Sequence, residues 1–256
     1  MKFIHTSDRH YLQDGAVQAN ATVNNAIIAR PDVAECFLID TGDDVDSPTA
    51  AAYQTAASAQ RELYDAASGG VKTPGNHDLD YAGLADAPTA PVLWADHVED
   101  LTGTRPVYPS MHIVGDTAII SVDTCTRPTG RWERIASQVT ATGLIGEGQI
   151  ARVVEMVERA RVLDLHVIIA MHHCPSGGDV MLRLIDREEF GDALDAVGGV
   201  ELMLTGHLHQ KREWSDVYGA RFLLASPKTP EAQGYRVIWW CEDRGRFCWE
   251  WVECRL

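Results

Sequence analysis

The sequence predicts an α/β protein, a four-layer α/β/β/α sandwich that forms a single domain over residues 1–256. Two observations predict this fold: apolar strand-like runs alternate with helical segments along most of the chain, and the last part holds strand-like runs alone. No internal repeat, low-complexity segment or linker divides the sequence. A chain of 256 residues is long enough to bury one large core.

The N-terminal part of the chain contains three predicted strands and two predicted helices. The strands cover Lys2–Thr6, residues 35–40 and residues 71–73. One helix covers residues 19–29 and ends before Pro31, because a residue that precedes proline rarely stays helical. The other begins after Ser47, an N-cap residue that a proline follows, and it continues to the glycine pair at residues 69–70.

Residues 79–104 show no clear period. They hold Pro88, Pro91 and Gly103, and they are predicted to form a loop that contributes to the substrate rim. Beyond them the predicted strands are 111–114, 118–122, 166–171 and 200–204, and the predicted helices are 146–163 and Arg187–Val197. The last predicted strands are 221–225, 235–241 and 247–253, with a turn at 243–245.

Five short polar segments lie where predicted strands end. They are residues 8–10 (DRH), 42–46 (GDDVD), 75–78 (GNHD), 171–173 (MHH) and 206–209 (GHLH). Each carries carboxylate, imidazole or amide groups that bind hard or borderline cations. Taken alone, each segment is explained more simply as a turn, an N-cap or a satisfied strand end. Five of them in order, at strand ends that converge above an α/β sheet, predict one metal site.

The spacing within these segments suits two metal ions. Asp8 and His10 are two residues apart, so on an extended strand both would point the same way, and His207 and His209 repeat this spacing. Two chelating pairs with a bridging carboxylate can hold a metal pair that clamps the attacking and leaving oxygens of a phosphoryl transfer. Such a pair lowers the pKa of a bridging water and gives hydroxide near neutral pH. Oxygen and nitrogen ligands without thiolate favour Mn, Fe, Zn or Co.

The ordered set D-x-H, G-D-x-x-D, G-N-H-D, M-H-H and G-H-x-H resembles the calcineurin-like metallophosphoesterase superfamily along almost the whole chain. Residues 142–149, 184–186 and 225–229 resemble its bacterial cyclic-nucleotide phosphodiesterase branch. The resemblance implies the four-layer fold and a metal-dependent phosphodiesterase that hydrolyses a small or cyclic nucleotide diester by attack of a metal-bridging hydroxide. A phosphomonoesterase is the near alternative, and a non-catalytic metal-binding scaffold for a protein partner is another.

The resemblance also implies a role for each motif residue. The first metal would be held by Asp8, His10 and His209, the second by Asn76, His172 and His207, and Asp43 would bridge them. His77 would be catalytic, stabilising charge on the leaving-group oxygen or giving it a proton. Asp46 and Asp78 would orient the loops and imidazoles around the metals. His173 matches a histidine that lies near the substrate in many relatives.

Two residues depart from the family pattern. Position 9 is Arg where the family usually has a small or apolar residue, and Asp44 adds a second acid beside Asp43. Arg9 is predicted either to contact a substrate phosphate at the pocket mouth or to pair with Asp44. Neither departure removes a predicted ligand, so the prediction of a metal site is unchanged. The two departures bear on substrate preference instead.

Composition bears on partners and compartment. The net charge of −15 disfavours long nucleic acid, but it leaves room for a small phosphoester substrate such as a cyclic nucleotide. No segment reads as a membrane span, and the N-terminus lacks the features of a signal peptide. The six cysteines show no metal-type spacing. Their even number could mean disulfides, but a chain of this size without a signal peptide favours reduced thiols and a cytoplasmic protein. The tryptophans at positions 239, 240, 249 and 251 predict core packing or a homodimer contact in preference to base stacking.

Overall fold

The computed structural model describes residues 1–79, 89–126, 141–178 and 182–254. Its strands are β1 (Lys2–Thr6), β2 (Cys36–Asp40), β3 (Gly70–Lys72), β4 (Ser110–Val114), β5 (Thr117–Ser121), β6 (His166–Ala170), β7 (Val200–Thr205), β8 (Arg212–Val217), β9 (Ala220–Ala225), β10 (Gly234–Cys241) and β11 (Arg246–Glu253). Its α-helices are α1 (Ala16–Ile28), α2 (Ala50–Ala66), α3 (Ala90–Thr102), α4 (Glu147–Val162), α5 (Arg187–Val197) and α6 (Thr229–Ala232). Within these described ranges, no helix is both long and apolar enough to cross a bilayer.

Two mixed sheets pack face to face between helical layers. One sheet has the strand order β11-β10-β1-β2-β3, and the other has the order β4-β5-β6-β7-β9-β8. Side chains alternate across each strand, so Phe3 enters the core between the sheets while Ile4 packs against α1 and α2. On the other sheet, Ile120 packs with α4 and α5. The α/β/β/α sandwich predicted from the sequence is confirmed.

Parallel pairing brings the ends of several strands to one edge of each sheet. In the first sheet β1, β2 and β3 run parallel, with Thr6 opposite Asp40 and Asp40 opposite Lys72. In the second sheet β6 and β7 run parallel, with Ala170 opposite Leu204. Because the carboxyl ends of parallel strands lie at the same edge, the loops that follow them meet there.

Helix α3 corrects the prediction of a loop over residues 79–104. Pro91 lies in the first turn of Ala90–Thr102, where its missing N–H needs no partner, and Gly103 ends the helix with a φ of 73°. The buried face of the helix carries Ala90, Trp94, His97, Val98 and Leu101. The proline and glycine that suggested a loop are therefore the start and stop signals of a helix. Residues 80–88 lie outside the described part of the chain.

Two other elements differ from the prediction. Thr49, not Ser47, is the N-cap of α2, and its Oγ1 accepts a hydrogen bond from the N–H of Ala52 at 3.1 Å. Strand β8 was not predicted, because most of its side chains are exposed and it lies at the edge of its sheet next to β9. An exposed edge strand lacks the apolar pattern that identifies a buried one.

The cysteines also differ from the prediction. Cys241 and Cys248 form a disulfide between the paired strands β10 and β11, with their Cα atoms 6.0 Å apart. The expectation of reduced thiols is wrong for these two residues, since strand pairing brings together cysteines whose spacing carries no such signal. The free cysteines among the described residues are Cys36, Cys125, Cys174 and Cys254, all buried.

Three of the four tryptophans in β10 and β11 pack against the interior. Trp240 and Trp249 lie against the core between the two sheets, and Trp239 lies against the helical side of the first sheet. The ring of Trp240 stacks on His166 with centroids 3.4 Å apart. This packing agrees with core packing, the first of the two roles predicted for these tryptophans.

Candidate metal centre

All five polar segments meet where the parallel strands end. Residues 8–10, 42–46 and 75–78 follow β1, β2 and β3, and residues 171–173 and 206–209 follow β6 and β7. The N–H of Asp8 donates to the carbonyl oxygen of Gly42 at 2.8 Å, which joins two loops of the first sheet. The N–H of His207 donates to Oδ1 of Asp8 at 3.1 Å, which joins the two sheets. The predicted ligand segments therefore form one connected structure.

The first ligand group consists of Asp8, His10, Asp43 and His209, whose ligand atoms all lie within 4.8 Å of one another. Nε2 of His209 is 3.2 Å from Oδ1 of Asp8 and 3.4 Å from Nε2 of His10. Nε2 of His10 is 3.7 Å from Oδ2 of Asp43. Two carboxylates and two imidazoles thus converge on one point, as the sequence predicted for the first metal.

The second ligand group consists of Asp43, His172 and His207, with Asn76 beside it. Nε2 of His172 lies 3.3 Å from Oδ2 of Asp43, 3.2 Å from Nδ1 of His207 and 3.1 Å from Oδ1 of Asn76. Asp43 belongs to both groups, which is the position expected of a bridging carboxylate. The seven predicted ligands are therefore brought together in two adjacent sets.

The hydrogen bonds around His172 fit a cation. Its Nδ1 donates to the carbonyl oxygen of Thr41 at 2.7 Å, so in the neutral ring Nε2 is a bare acceptor. That nitrogen then faces an imidazole nitrogen, an amide oxygen and a carboxylate oxygen together. One proton on Nε2 cannot satisfy three such neighbours, whereas one metal ion can be coordinated by Nε2 and by all three of them.

Electrostatics at the site also favour positive charge. Burial alone would raise the pKa of Asp43, but positive charge on His172, together with His77 and His10, lowers it well below its usual value. Burial alone would lower the pKa of His172, but Asp43 raises it to about 9. Burial and the charge of His172 lower the pKa of His207 to about 3, which keeps that imidazole in its neutral, metal-binding form.

Five of the seven predicted ligands have an unusual backbone conformation. The φ angles are positive at Asp8 (53°), His10 (44°), Asp43 (56°), His207 (67°) and His209 (51°). The extended-strand argument for the Asp8 and His10 pair is therefore wrong, since both residues follow β1 in left-handed conformations. Non-glycine residues rarely adopt such angles, and clusters of them are found at functional sites.

Two glycines allow the ligand loops to approach each other closely. A Cβ on Gly75 would lie 2.0 Å from Oδ1 of Asp43, and a Cβ on Gly206 would lie 2.5 Å from Oδ2 of Asp8. Any larger residue would displace a predicted ligand. The glycines of the G-N-H-D and G-H-x-H segments are thus required by packing against carboxylates.

The carboxylate of Asp78 lies behind the bridging loop. It accepts hydrogen bonds from the backbone N–H groups of Asp43 at 2.8 Å, Gly75 at 2.9 Å and Val45 at 3.3 Å. The hydroxyl of Tyr53 donates to the carbonyl oxygen of Asp78 at 2.6 Å. Asp78 therefore ties the loop after β2 to the loop after β3, which is the arrangement that its predicted orienting role requires.

His77 and Asp46 lie on one side of the first ligand group. The N–H of His77 donates to Oδ1 of Asp43 at 2.9 Å, and its Nδ1 donates to the carbonyl oxygen of Asp46 at 2.9 Å. This second bond leaves Nε2 of His77 as the ring nitrogen available for a substrate atom. The rings of His77 and His10 meet edge to face with centroids 4.8 Å apart. Oδ1 of Asp46 is 3.4 Å from Nδ1 of His10.

His173 is buried beside the second ligand group. Its Nδ1 lies 2.7 Å from Oγ1 of Thr124, and its ring centroid lies 4.3 Å from that of His207. A Cβ on Gly143 would lie 2.4 Å from the His173 ring, so this side of the ring is closely packed. The structure places His173 next to a predicted ligand and closed off from solvent.

Neither expectation for Arg9 describes its position. Its side chain is 1% exposed, and Nε is 2.9 Å from Oδ2 of Asp40. Nη1 donates to Oδ1 of Asn24 at 2.9 Å and Nη2 donates to Oγ1 of Thr6 at 3.1 Å. A buried guanidinium held by three partners does not face a substrate phosphate at the pocket mouth. Asp44 pairs with Lys72 instead, at 2.7 Å.

Sequence reasoning missed several residues that support the site. Lys228 is almost buried, and its Nζ donates to Oε1 of Gln13 at 2.5 Å. Nε2 of Gln13 in turn donates to Oδ1 of Asp46 at 2.7 Å. Thr41 acts through its carbonyl oxygen, which no sequence pattern identifies. Lys228 lies in the segment 225–229 that resembled the phosphodiesterase branch, and that resemblance was the available signal.

Comparison with known proteins agrees with this geometry. The calcineurin-like phosphoesterase family matches residues 1–211, and the chain belongs to that family. Together with the two buried ligand groups, this membership defines the chain as a metal-dependent phosphoesterase. No curated protein is significantly similar to the chain in sequence.

Several solved structures share the fold. A dimetal phosphatase from Danio rerio is 15% identical, with a TM-score of 0.72 over 99% of this chain and 97% of that one. A phosphopantetheinyl hydrolase from Mycobacterium tuberculosis is 14% identical, with a TM-score of 0.53 over 90% of each chain. The sulfate thiohydrolase SoxB from Thermus thermophilus is 12% identical, with a TM-score of 0.56 over 99% of this chain and 56% of that one. At these identities the likeness concerns the fold.

Proposed function

We propose that this protein is a phosphodiesterase that hydrolyses a small phosphodiester, with a cyclic nucleotide as the favoured substrate class. The observation that carries the proposal is the complete ligand set, in which two groups of imidazoles and carboxylates share Asp43. Two cations bound there would polarise the phosphoryl oxygens and lower the pKa of a water towards neutrality. Mn, Fe, Zn and Co suit these oxygen and nitrogen donors.

The side chains of this chain contribute orientation and a proton. Asp8, His10 and His209 would hold one cation, Asn76, His172 and His207 the other, and Asp43 both. His77 would hold or give a proton at Nε2 when the leaving oxygen departs, since its Nδ1 is committed to the carbonyl oxygen of Asp46. The hydrogen bond from His172 to Thr41 would fix the ring so that Nε2 faces the ligand group.

The diester preference is supported by segments that flank the ligands. Residues 142–144 and 184–186 resemble the cyclic-nucleotide branch, and they pair with each other, since the N–H of Ile185 donates to the carbonyl oxygen of Gly143 at 2.8 Å. Gly143 packs against the ring of His173. Thr229 donates its hydroxyl to the carbonyl oxygen of Ser7 at 2.6 Å, which places the third such segment beside Asp8. Gly143 and Thr229, from two of the three flanking matches, therefore contact residues next to predicted ligands.

The proposal is tested with two synthetic substrates. Metal-free protein is reloaded with Mn²⁺ and assayed with bis-(p-nitrophenyl) phosphate and with p-nitrophenyl phosphate, and each assay is repeated with EDTA. We expect turnover of the diester to dominate and to disappear with EDTA. Cyclic nucleotides with 2′,3′ and 3′,5′ linkages then identify the natural linkage. A preference for the monoester would replace the proposal with a phosphomonoesterase.

A non-catalytic scaffold is the second candidate, and the ligand set argues against it. A scaffold has no need of His77, yet this residue is present with its ring oriented by Asp46. Absence of turnover of both substrates, with two metals bound per chain, would favour the scaffold. A homodimer and a cytoplasmic location remain predictions from the sequence.

A further inference from the structure

Four charged side chains form a network beneath the ligand loops. Nε of Arg9 lies 2.9 Å from Oδ2 of Asp40. Nζ of Lys72 lies 3.7 Å from the same oxygen and 2.7 Å from Oδ2 of Asp44. Asp40 therefore lies between two cations, and Lys72 lies between two carboxylates. The charges alternate along the network and sum to zero.

The network is excluded from solvent. The side chains of its four members are between 0% and 2% exposed. Burial alone would lower the pKa of Lys72, but the charges of Asp40 and Asp44 raise it. Burial alone would raise the pKa of Asp44, but Lys72 lowers it. Buried charges of this kind are stable only as partners, so loss of one member leaves the next unpaired.

Two of the four network members lie next to predicted metal ligands in the sequence. Arg9 stands between Asp8 and His10, and Asp44 follows Asp43 directly. The ligands point into the metal centre, whereas the guanidinium of Arg9 is held by α1, through Oδ1 of Asn24 at 2.9 Å. Each of these two loops therefore presents ligands on one side and a buried charge on the other.

Three helices and three strand ends hold the network. Nζ of Lys72 donates to Oε1 of Gln60 in α2 at 3.1 Å. Nε2 of His97 in α3 lies 2.7 Å from Oδ2 of Asp44. Oδ1 of Asp40 accepts a hydrogen bond from the N–H of Gly42 at 3.1 Å, which fixes the start of the loop that carries the bridging ligand. The network thus connects the helical layer to the ligand loops.

We propose that Arg9, Asp40, Lys72 and Asp44 are positioning residues that hold the ligand loops in their metal-binding conformation. The inference rests on the metal centre of the proposed function. Residues in left-handed conformations persist only where the surrounding contacts determine their geometry. Asp8, His10 and Asp43 have such conformations, and the residues beside them are the ones anchored by buried charge. Because the network has no net charge, the proposed effect on the metals is the geometry of the ligand loops, and the variants below test this separately from charge.

The test removes one ion pair without changing the net charge. The double variant Lys72→Met with Asp44→Asn loses one cation and one anion, and the new asparagine still offers an acceptor to His97. Metal-free protein is titrated with Mn²⁺ by calorimetry, and the loaded protein is studied by Mn²⁺ electron paramagnetic resonance. We expect the affinity to fall by about 10- to 100-fold, as for other residues that orient ligands. We also expect the spin-coupled signal of the metal pair to weaken.

Two control variants distinguish a loss of ligand positioning from a general loss of stability and from the removal of charge. Val157→Ala truncates a fully buried side chain in α4, on the opposite side of the sandwich, and is expected to lower the melting temperature without altering the ligand loops. Lys2→Met with Asp32→Asn removes a partly exposed pair of opposite charges whose atoms are 2.6 Å apart, and the new asparagine still offers Arg30 an acceptor. Both controls are expected to bind Mn²⁺ as the unaltered protein does.

Arg9→Lys provides a second variant if the double variant does not fold. It keeps the charge but cannot reproduce the contacts with Asn24 and Thr6, so Mn²⁺ affinity is again expected to fall. Unaltered Mn²⁺ affinity in a folded network variant would overturn the inference, as would an equal loss in Val157→Ala. These readouts need no substrate. If the unaltered protein bound two metals but cleaved no phosphoester, the proposed function would fail and this inference would stand.

Discussion

The backbone N–H of His77 donates to Oδ1 of Asp43 at 2.9 Å. The residue predicted to stabilise or protonate the leaving oxygen thus orients the predicted bridging carboxylate through its main chain. The other oxygen, Oδ2, faces His172 at 3.3 Å and His10 at 3.7 Å. Since the main-chain bond survives side-chain truncation, substitution can separate the two contributions of His77.

His77→Ala is expected to lower kcat by about 100- to 10,000-fold, the range of a general acid. The metal content should stay at two ions per chain, because the alanine keeps the N–H that orients Asp43. Diester hydrolysis and elemental analysis of the same preparation measure both quantities. His112→Ala serves as a control, since this half-buried histidine pairs with Ser110 away from the ligand groups. Loss of both metals from His77→Ala would contradict the assigned role.

Asp43→Asn is expected to weaken binding at both metal positions. The asparagine can still accept the hydrogen bond from His77, but it is neutral and offers one oxygen where the carboxylate offers two. We expect more than the roughly 100-fold loss of affinity typical of residues outside the ligand set. Calorimetric titration with Mn²⁺ checks this. Weakening of one metal alone would show that Asp43 does not bridge.

Gly75→Ala is expected to lower metal affinity, because its Cβ would lie 2.0 Å from Oδ1 of Asp43. Gly148→Ala is the matched control, since a Cβ there meets nothing within 4 Å and the residue lies in α4. The control should stabilise the fold by about 0.5–1 kcal/mol through reduced chain entropy and leave metal binding unchanged. Equal metal affinity in both variants would show that the ligand loop tolerates displacement.

The metal-free protein is expected to lose stability as the pH falls below about 6.5, the usual histidine pKa. His5 is fully buried, and burial followed by the charge of Arg236 lowers its pKa well below that value. Above pH 6.5 the neutral, buried His5 makes its full contribution to the free energy of unfolding. As the pH falls below this value, His5 takes up a proton in the unfolded chain before it does so in the folded protein, and the folded protein loses stability. The contribution amounts to up to about 1.4 kcal/mol per pH unit below this point.

The comparison with His5→Gln isolates this contribution from the other histidines. The glutamine side chain still offers an acceptor to the guanidinium of Arg236 and a donor to the hydroxyl of Thr41, the two partners of the His5 ring. Melting temperatures are measured in EDTA between pH 5 and pH 8, and the slope should be smaller in the variant. Identical slopes in the two proteins would show that His5 does not contribute to the pH dependence of stability.

Most of the fold and the segments that carry the predicted ligands could be predicted from the sequence, because both depend on strongly patterned segments, whereas the role of each ligand came from the family resemblance. Buried strands such as His166–Ala170 are continuous apolar runs, and ligands follow them at their carboxyl ends. Helix α3 was missed because Pro91 and Gly103 were interpreted as loop residues when they begin and end a helix. Strand β8 was missed because its exposed side chains follow no apolar period.

The remaining errors concern relationships between distant residues. Arg9 lies within a ligand motif, yet its partner Asp40 ends a different strand, and no local pattern indicates that the side chain turns away from the site. The disulfide between Cys241 and Cys248 depends on the register of two strands. Likewise, left-handed backbone at Asp8 is imposed by tertiary contacts.

The left-handed conformations of the ligand residues imply a conflict between stability and activity. A non-glycine residue held with positive φ costs about 1 kcal/mol or more, so five such residues among the predicted ligands make the metal-free fold less stable than the same fold without this strain would be. Bound metal stabilises the folded state by mass action and so offsets this strain. The melting temperature should therefore rise steeply with the concentration of free Mn²⁺. Variants selected for heat resistance without metal would therefore be expected to lose the ligands first.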